Sequence, residues 1–413
     1  MPPGHQGPSG GMRLPEGWLA QAQALWETGQ GDAAIQAALG AINALEKRHA
    51  SSARLYEQAG FYLSNRGNLA DARRLLKRAH AIDPNHIETL RNLSVLSGRL
   101  HQHASAVTWA QKALALAPDD YVSLDMLACS LRFLNRFNEA RAAGTRALAL
   151  KDQAAQLSAP ARPDWHLQSP RPSAGQRRIG KRPNVIAFSL WGEQPRYLRG
   201  ALRNVLEAPT VLPGWSLRFY VDATVPAAFL DLLRENGAEV VLHQGAKPAS
   251  LRQRLAWRFL VANDASVGYF LCRDTDAVIS AREARAVNAW LDGTAHFHVI
   301  RDWWTHTDLM LAGLWGGVAG VLPSIRVMLL RYQSAALETG NIDQWFLRDR
   351  VWPLVRESVC VHDRLFTMPG AQTLPGPLPP PHSDEHIGQN EHAVRTEAQA
   401  VALAPWLARH PWL

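Results

Sequence analysis

Cysteine is scarce in this chain. Only three are present in 413 residues, Cys129, Cys272 and Cys360, and they lie far apart. That spacing fits neither a disulfide framework nor a zinc pattern of neighbouring cysteines. Such sparse usage is typical of a reducing compartment, so the sequence predicts a cytoplasmic protein.

Long apolar runs are missing as well. No run of about 18 apolar residues occurs, so no transmembrane helix is expected. The opening residues, MPPGHQGPSGGMRLPEGW, lack the apolar core of a signal peptide. Hydrophobic residues make up 47% and charged residues 19%, which is typical of a globular protein, and the length predicts two domains.

Acidic residues are outnumbered by basic ones, and the net charge is +8. This balance favours an anionic partner, but the basic residues are mostly dispersed, so no nucleic acid is expected. One basic cluster, RPSAGQRRIGKRP, has no acidic residue between Asp164 and Glu193. Its proline and glycine content predicts a linker over residues 153–182, either simply solvated or in peripheral contact with an anionic surface.

Residues 15–152 are rich in alanine and leucine and predict helices. Small residues and a proline recur every 34 positions, as at Ala72, Ala106 and Ala140 or at Pro84 and Pro118. This period resembles the tetratricopeptide repeat, with a degenerate opening unit in AQALWETGQGDAAIQAALGAINAL. Such a solenoid either recognises a peptide or protein or only packs on its neighbour.

Residues 183–370 alternate short β-type runs with helical segments. The runs are NVIAFSL (184–190), SLRFYVDA (216–223), AEVVLH (238–243), VGYFLC (267–272) and HFHVI (296–300). Alternation of this kind predicts a largely parallel, Rossmann-like α/β sheet whose ligand binds beyond the carboxyl ends of the strands. Residues 371–413 are expected to form a proline-rich link and a C-terminal tail.

The fourth run ends in Asp274-Thr275-Asp276, the only Asp-x-Asp in the chain. Residues i and i+2 of an extended chain point the same way, so both carboxylates can face one divalent cation, Mn²⁺ or Mg²⁺. A turn or cap at the strand end, or a pair with Arg273, is the structural alternative.

Four stretches together resemble bacterial tetratricopeptide-linked glycosyltransferases of the GT-A type. They are WRFLVANDASVGYFLCRDTDAVISAREARAVNAWL, VIRDWWTHTDLMLAGLWGGVAG, DQWFLRDRVWPL and VHDRLF, and they cover most of residues 255–366. The resemblance implies a helical repeat domain followed by a nucleotide-sugar domain. It also implies that Asp274 and Asp276 bind the metal and the donor diphosphate, with His362 as a third metal ligand.

Other candidate site residues follow from the same resemblance or from residue type, since glycine lets a backbone approach a ligand, tryptophan can stack on a sugar and arginine can pair with a diphosphate. Asp343 and Gln344 are the catalytic candidates, although Asp343 could equally be a helix N-cap. Candidates for the donor nucleotide are Trp191, Gly192, Arg258 and Arg273, although an arginine could instead pair with the aspartates or with Glu283. Candidates for sugar or acceptor contact are Arg301, Asp302, His306, Gly313, Trp315 and Gly316, although core packing also explains a tryptophan.

The leading hypothesis is a metal-dependent glycosyltransferase that uses a nucleotide-sugar donor and a protein or glycan acceptor held by the repeats. The residues leave a retaining or an inverting outcome open. One alternative is a repeat adaptor whose sheet domain is inactive. Another is a metal-dependent phosphohydrolase, which lacks support because NVIAFSLWGEQ carries no aspartate nucleophile after the first strand.

Overall fold

The computed structural model describes residues 14–158, 165, 167, 182–243, 249–334, 340–390, 396–410 and 413. Within them the chain divides into two compact units, one up to Leu150 and one from Lys151 onward. No helix in this part of the chain is long and apolar enough to cross a lipid bilayer. Residues 171–181 of the basic cluster lie outside the described residues, whereas residues 153–158 of the expected linker are helical.

The first unit is made of helices that are paired along the chain. Their bounds are α1 Ala20–Glu27, α2 Gly31–Glu46, α3 Ala53–Asn65, α4 Leu69–Ile82, α5 Ile87–Arg99, α6 His103–Leu116, α7 Tyr121–Phe133 and α8 Phe137–Ser158. The starts of α3, α5 and α7 are 34 residues apart, and so are those of α4, α6 and α8. This period confirms the tetratricopeptide-like helical repeats; α1 and α2 fall out of register, as expected for the degenerate opening unit.

Small side chains allow the paired helices to approach closely. Ala72, Ala106 and Ala140, one period apart, are completely buried. A Cβ at Gly60 of α3 would lie 2.8 Å from Cγ of Leu76 in α4, so glycine is needed for this contact.

The turn within each repeat also follows the period. Gly67, His101 and Asn135 have positive φ values of 85°, 56° and 58° and stand 34 residues apart. Only one of the three is glycine, so the repeat tolerates histidine and asparagine in a backbone conformation that most residues avoid.

The second unit is built on a mixed sheet with seven strands in the described residues. The strands are β1 Asn184–Leu190, β2 Trp215–Val221, β3 Glu239–Leu242, β4 Tyr269–Arg273, β5 Phe297–Arg301, β6 Leu314–Val318 and β7 Val359–Asp363. Their order is β3-β2-β1-β4-β6-β5-β7. Only β6 is antiparallel to its neighbours, which agrees with the expectation of a largely parallel sheet.

The first five strands coincide with the five predicted runs, but β6 was not predicted. Its sequence, LWGGV, is short, and two glycines interrupt any alternation of polar and apolar residues. Gly316 and Gly317 are nevertheless required there. A Cβ at Gly316 would lie 2.4 Å from the carbonyl oxygen of Phe270 in β4, and one at Gly317 would lie 2.5 Å from the ring of Phe297 in β5.

Helices lie between most consecutive strands, and one helix follows the last strand. Their bounds are α9 Pro195–Val211, α10 Ala227–Glu235, α11 Leu251–Ala256, α12 Ala281–Asp292, α13 Ile325–Arg331, α14 Ile342–Phe346, α15 Trp352–Val355 and α16 Thr396–Arg409. A 3₁₀ segment, Trp257–Asn263, continues α11. The main core joins β1, β2 and β4 to α9, α10, α12 and α16.

The described residues after 370 belong to the sheet unit. Leu374 and Ile387 are buried in a small core with Leu314 and Ile300 of the sheet. Leu403 of α16 is completely buried in the main core. Domain boundaries drawn at the proline-rich stretch therefore stop short of the packed structure.

Candidate functional site

A cavity of about 480 Å³ opens at the carboxyl ends of β1 and β4. The chain leaves β1 toward β2 on one side of the sheet, whereas β4 pairs with β1 on the other. The cavity therefore lies at the point where the strand order reverses, which is where open α/β sheets bind ligands. Residues that line it include Trp191, Arg196, Tyr197, Arg258, Asp274, Asp276, His306, Gly313, Asn341, Asp343, Gln344 and Gly388.

The loop that carries the two aspartates is held by α9. A Cβ at Gly200 would lie 2.1 Å from the carbonyl oxygen of Thr275, so only glycine lets the helix approach this closely. Nδ2 of Asn204 donates to the carbonyl oxygen of Ala277 at 2.9 Å, and its Oδ1 accepts from the amide of Ile279 at 3.1 Å. Neither Gly200 nor Asn204 was predicted, because within PRYLRGALRN they resemble ordinary helix residues.

Asp274 is partly exposed to the cavity, and its carboxylate contacts a buried arginine. Its Oδ1 pairs with Nη1 of Arg258, a side chain that is almost fully buried. Its Oδ2 lies where Gly313 leaves room, because a Cβ at Gly313 would be 2.1 Å from it. Arg258 and Gly313 were both predicted site residues, and the structure places both beside Asp274.

Asp276 is more buried than Asp274 and pairs with Arg196, whose Nε lies 2.6 Å from Oδ2. Burial, followed by the negative charge of Asp274, raises the pKa of Asp276 above its ordinary value. The two carboxylates therefore lie close enough to repel each other. Arg196, at the start of α9, was not predicted and supplies one counter-charge.

Asp343 faces the same cavity from α14. The helix begins at Ile342, so Asp343 lies in its first turn and is not the N-cap, which is Asn341. Its Oδ2 accepts from Nη2 of Arg258 at 3.0 Å. Burial raises the pKa of Asp343 to about 6, an effect that Arg258 opposes. Asp274 and Asp343 thus share one arginine.

Gln344 lies next to Asp343 and also lines the cavity. Its Oε1 is buried and receives no hydrogen bond from any described residue. A buried carbonyl oxygen without a donor is uncommon, so this atom is available to a ligand that carries a hydroxyl or an amide.

His306 reaches the cavity, but two neighbours predicted with it do not. Nδ1 of His306 accepts from the backbone amide of Asp302 at 2.9 Å, and burial lowers the pKa of its ring well below the usual value. Arg301 is 1% exposed and donates from Nε to Asp363 at 2.6 Å. Asp302 is completely buried and accepts from the amide of Ile387 at 2.7 Å. Arg301 and Asp302 therefore support the site from within the core.

Arg273 does not reach the cavity either. It forms a buried ion pair with Glu283 of α12 and donates to the carbonyl oxygen of Trp315 at 2.9 Å. The expected contact with a donor diphosphate is thus replaced by the structural alternative, a pair with Glu283.

Trp315 and Gly316 are core residues of β6. The Trp315 side chain is completely buried and packs edge-on against Phe270, with ring centroids 5.0 Å apart. It therefore fills the sheet core and does not stack on a ligand. Trp191 lines the cavity, whereas Gly192 is not among its lining residues and donates its amide to Oγ1 of Thr224 at 2.7 Å.

His362 lies apart from the two aspartates. β6 and β5 stand between β4 and β7 in the sheet, so three strand spacings of about 4.8 Å separate β7 from β4. The ring instead contacts His298 of β5, whose Nε2 is 2.8 Å from Nδ1 of His362. Burial lowers the pKa of His362 to about 4. In this structure Asp274, Asp276 and His362 do not form one ligand set.

Comparisons with known proteins add little. No protein-family model matches the chain, and no curated protein matches it. A mutant of the Thermobaculum terrenum O-GlcNAc transferase is 19% identical with a TM-score of 0.38, over 58% of this chain and 42% of that one. MamA from Desulfovibrio magneticus RS-1 is 16% identical with a TM-score of 0.29, over 33% of this chain and 77% of that one. Such low scores do not establish a shared fold.

Proposed function

We propose that this protein is a metal-dependent glycosyltransferase of the GT-A type, which moves a sugar from a nucleotide-sugar donor to a protein or glycan acceptor. The observation that carries the proposal is the convergence of Asp274, Asp276 and Asp343 on one cavity, with Arg196 and Arg258 between them. The volume of about 480 Å³ is within the range of small-molecule sites.

The topology supports a nucleotide as part of the donor. The order β3-β2-β1-β4 matches the first part of the nucleotide-binding α/β fold, in which the ligand lies at the reversal of strand order. Trp191, directly after β1, offers an aromatic face to a base. The helical repeats of the first unit are of a kind that commonly binds proteins, which favours a protein acceptor by analogy alone.

Asp274 and Asp276 would hold Mn²⁺ or Mg²⁺. Carboxylate oxygens are the ligands that these ions prefer. Burial, followed by the charge of Asp274, raises the pKa of Asp276, and a divalent cation between the two groups would relieve the repulsion between them. When bound, the ion supplies Lewis acidity that stabilises negative charge on the leaving diphosphate. Arg196 is 42% exposed at its side chain and can turn from Asp276 to the diphosphate once a cation takes its place.

Asp343 would act on the acceptor. In transfer, the bond between the anomeric carbon and the diphosphate oxygen breaks, and a new bond forms to the acceptor oxygen. The hydroxyl proton then passes to Asp343, whose pKa of about 6 leaves it ionised at neutral pH yet basic enough to take that proton. Gln344 orients a sugar or acceptor hydroxyl through its unpaired Oε1.

One observation favours a non-catalytic adaptor instead. Both aspartates already have arginine partners, Arg258 for Asp274 and Arg196 for Asp276. If these ion pairs are permanent, the pair of carboxylates has a structural role and the repeats alone carry the function.

Isothermal titration of the full chain with nucleoside diphosphates, with and without Mn²⁺, separates the two functions. We expect binding of at least one nucleotide only with Mn²⁺, its loss in Asp276→Asn, and its retention in Asp231→Asn. Asp231 is an exposed carboxylate of α10 that pairs with Arg234 and lies outside the cavity. Metal-dependent hydrolysis of a set of nucleotide-sugars then identifies the donor. Absence of any metal-dependent nucleotide binding would leave the adaptor as the function.

A further inference from the structure

A second cluster of metal-binding side chains lies at the edge of the sheet, away from the cavity. It consists of His298 of β5 and Cys360 and His362 of β7, here called the His-Cys-His cluster. Their ligand atoms all lie within 4.8 Å of one another, which holds for no other group of three His, Cys, Asp or Glu in the described residues.

Strand register produces the cluster. His298 pairs directly with Cys360 across the parallel β5–β7 ladder, and His362 follows two residues later, on the same face as Cys360. The ring of Trp290 from α12 stacks on His298 with centroids 5.3 Å apart and limits its motion. Three ligands are thus held by two hydrogen-bonded strands and one helix.

The distances are near those of a tetrahedral zinc site. Nε2 of His298 is 2.8 Å from Nδ1 of His362, and Sγ of Cys360 is 3.9 Å from that Nδ1. With Zn–N bonds of about 2.05 Å and a Zn–S bond of about 2.3 Å, tetrahedral angles require roughly 3.3 Å and 3.6 Å. Changes of about half an ångström, within the reach of small side-chain rotations, convert one arrangement into the other.

We infer that the His-Cys-His cluster binds a thiophilic divalent ion such as Zn²⁺, separately from the hard-ion site at Asp274 and Asp276. One sulfur and two imidazole nitrogens are a donor set that selects zinc over magnesium or manganese. Cys360 is half-buried, whereas His298 and His362 are buried, so an ion would enter past the Cys360 side chain. The fourth position is left for water or an external ligand, and the bound ion fastens β7 to β5.

Cobalt titration of the metal-stripped full chain tests this inference. Co²⁺ bound to a thiolate gives a charge-transfer band in the near ultraviolet that oxygen ligands do not produce. We expect one equivalent of Co²⁺ to generate this band and Zn²⁺ to displace it. The band should disappear in Cys360→Ser, persist in Cys129→Ser, and persist in Asp276→Asn. Cys129 is the matched control because it is also half-buried and outside any disulfide.

Two further measurements keep the inference testable if a variant fails to fold. In the wild-type chain, Zn²⁺ should slow alkylation of Cys360 at least about tenfold while leaving Cys129 unaffected, as read by mass spectrometry. His298→Gln should weaken Co²⁺ affinity by more than the 10- to 100-fold that loss of an outer-shell partner causes. Absence of the band, or equal alkylation of Cys360 with and without Zn²⁺, would show that the cluster is only a hydrogen-bonded pair of histidines beside a thiol. Loss of nucleotide binding at Asp274 and Asp276 would not affect either readout.

Discussion

Nη2 of Arg258 lies 3.0 Å from Oδ2 of Asp343, and the same guanidinium pairs with Asp274 through Nη1. The arginine is almost fully buried, and the N–H of its Nε has no hydrogen-bond acceptor among the described residues. One cation therefore links the proposed metal-binding carboxylate to the proposed base. The pKa of Asp343, which burial raises, therefore also depends on the charges of Arg258 and Asp274.

The pH dependence of transfer is expected to follow Asp343. Burial raises its pKa to about 6, and only the ionised form can accept a proton, so kcat/KM should rise with pH through about 6. Asp343→Asn should lower kcat by about 10²- to 10⁴-fold and remove this limb. Rate profiles between pH 4.5 and 8, on the donor that the hydrolysis screen identifies, check both points.

The raised pKa of Asp343 also predicts how the free energy of unfolding changes with pH. A carboxyl whose pKa is raised on folding stabilises the native state when protonated. Its contribution is fully present below the unfolded pKa of about 3.9 and is lost as pH rises through about 6. Urea unfolding should therefore show a smaller decline between pH 4 and pH 6 in Asp343→Asn than in the wild type. An identical decline in both would contradict the raised pKa.

Gly313 is expected to be essential for the position of Asp274. Gly313→Ala places a Cβ 2.1 Å from Oδ2 of Asp274, so the carboxylate must move. Metal-dependent nucleotide affinity should fall roughly tenfold or more, which corresponds to about 1.4 kcal/mol.

Gly340→Ala is the matched control for this substitution. Gly340 lines the same cavity, yet a Cβ there meets no atom of a described residue within 4 Å. Titration calorimetry on both variants should show an affinity loss only for Gly313→Ala. Equal affinities in the two variants would mean that Asp274 does not bind the metal.

Asn204 is expected to hold the loop of Asp274 and Asp276 in position through hydrogen bonds. Asn204→Ala removes the hydrogen bonds to Ala277 and Ile279, both of which are buried, and should cost about 1–3 kcal/mol of unfolding free energy. It should also weaken metal-dependent nucleotide binding. Asn236→Ala is the control, because among the described residues of the same unit the Asn236 side chain bonds only to a carbonyl oxygen one turn back, that of Leu232. Urea titrations and calorimetry that show equal effects for both variants would remove the loop-positioning role.

Two tryptophans are expected to behave in opposite ways. Trp315→Phe leaves a void in a fully buried site and should lower the unfolding free energy by about 1–3 kcal/mol without changing nucleotide affinity.

Trp191→Ala changes a half-buried residue that lines the cavity. It should leave stability nearly unchanged but cost about 1–3 kcal/mol of nucleotide binding through lost stacking. A change in nucleotide affinity in Trp315→Phe would restore its proposed contact with the ligand.

The amino-acid sequence by itself determined the parts of this protein that depend on local patterns. A 34-residue recurrence of small side chains predicted the paired helices, and alternating strand and helix segments predicted β1 to β5. The end of an apolar run likewise predicted that Asp274 and Asp276 follow the carboxyl end of β4. Helix and strand periods arise from backbone geometry within a few residues, so they can be read along the chain.

Only the tertiary structure decided which side chains meet. Sheet order puts β6 and β5 between β4 and β7, and this places His362 beside His298 instead of beside the aspartates. Burial likewise assigns Arg273 to Glu283 and leaves Arg258 and Arg196 for the aspartates. Spacing along the chain does not reveal the order of the strands or the partner of a buried charged side chain. Both are set by the packing of segments that are distant in sequence.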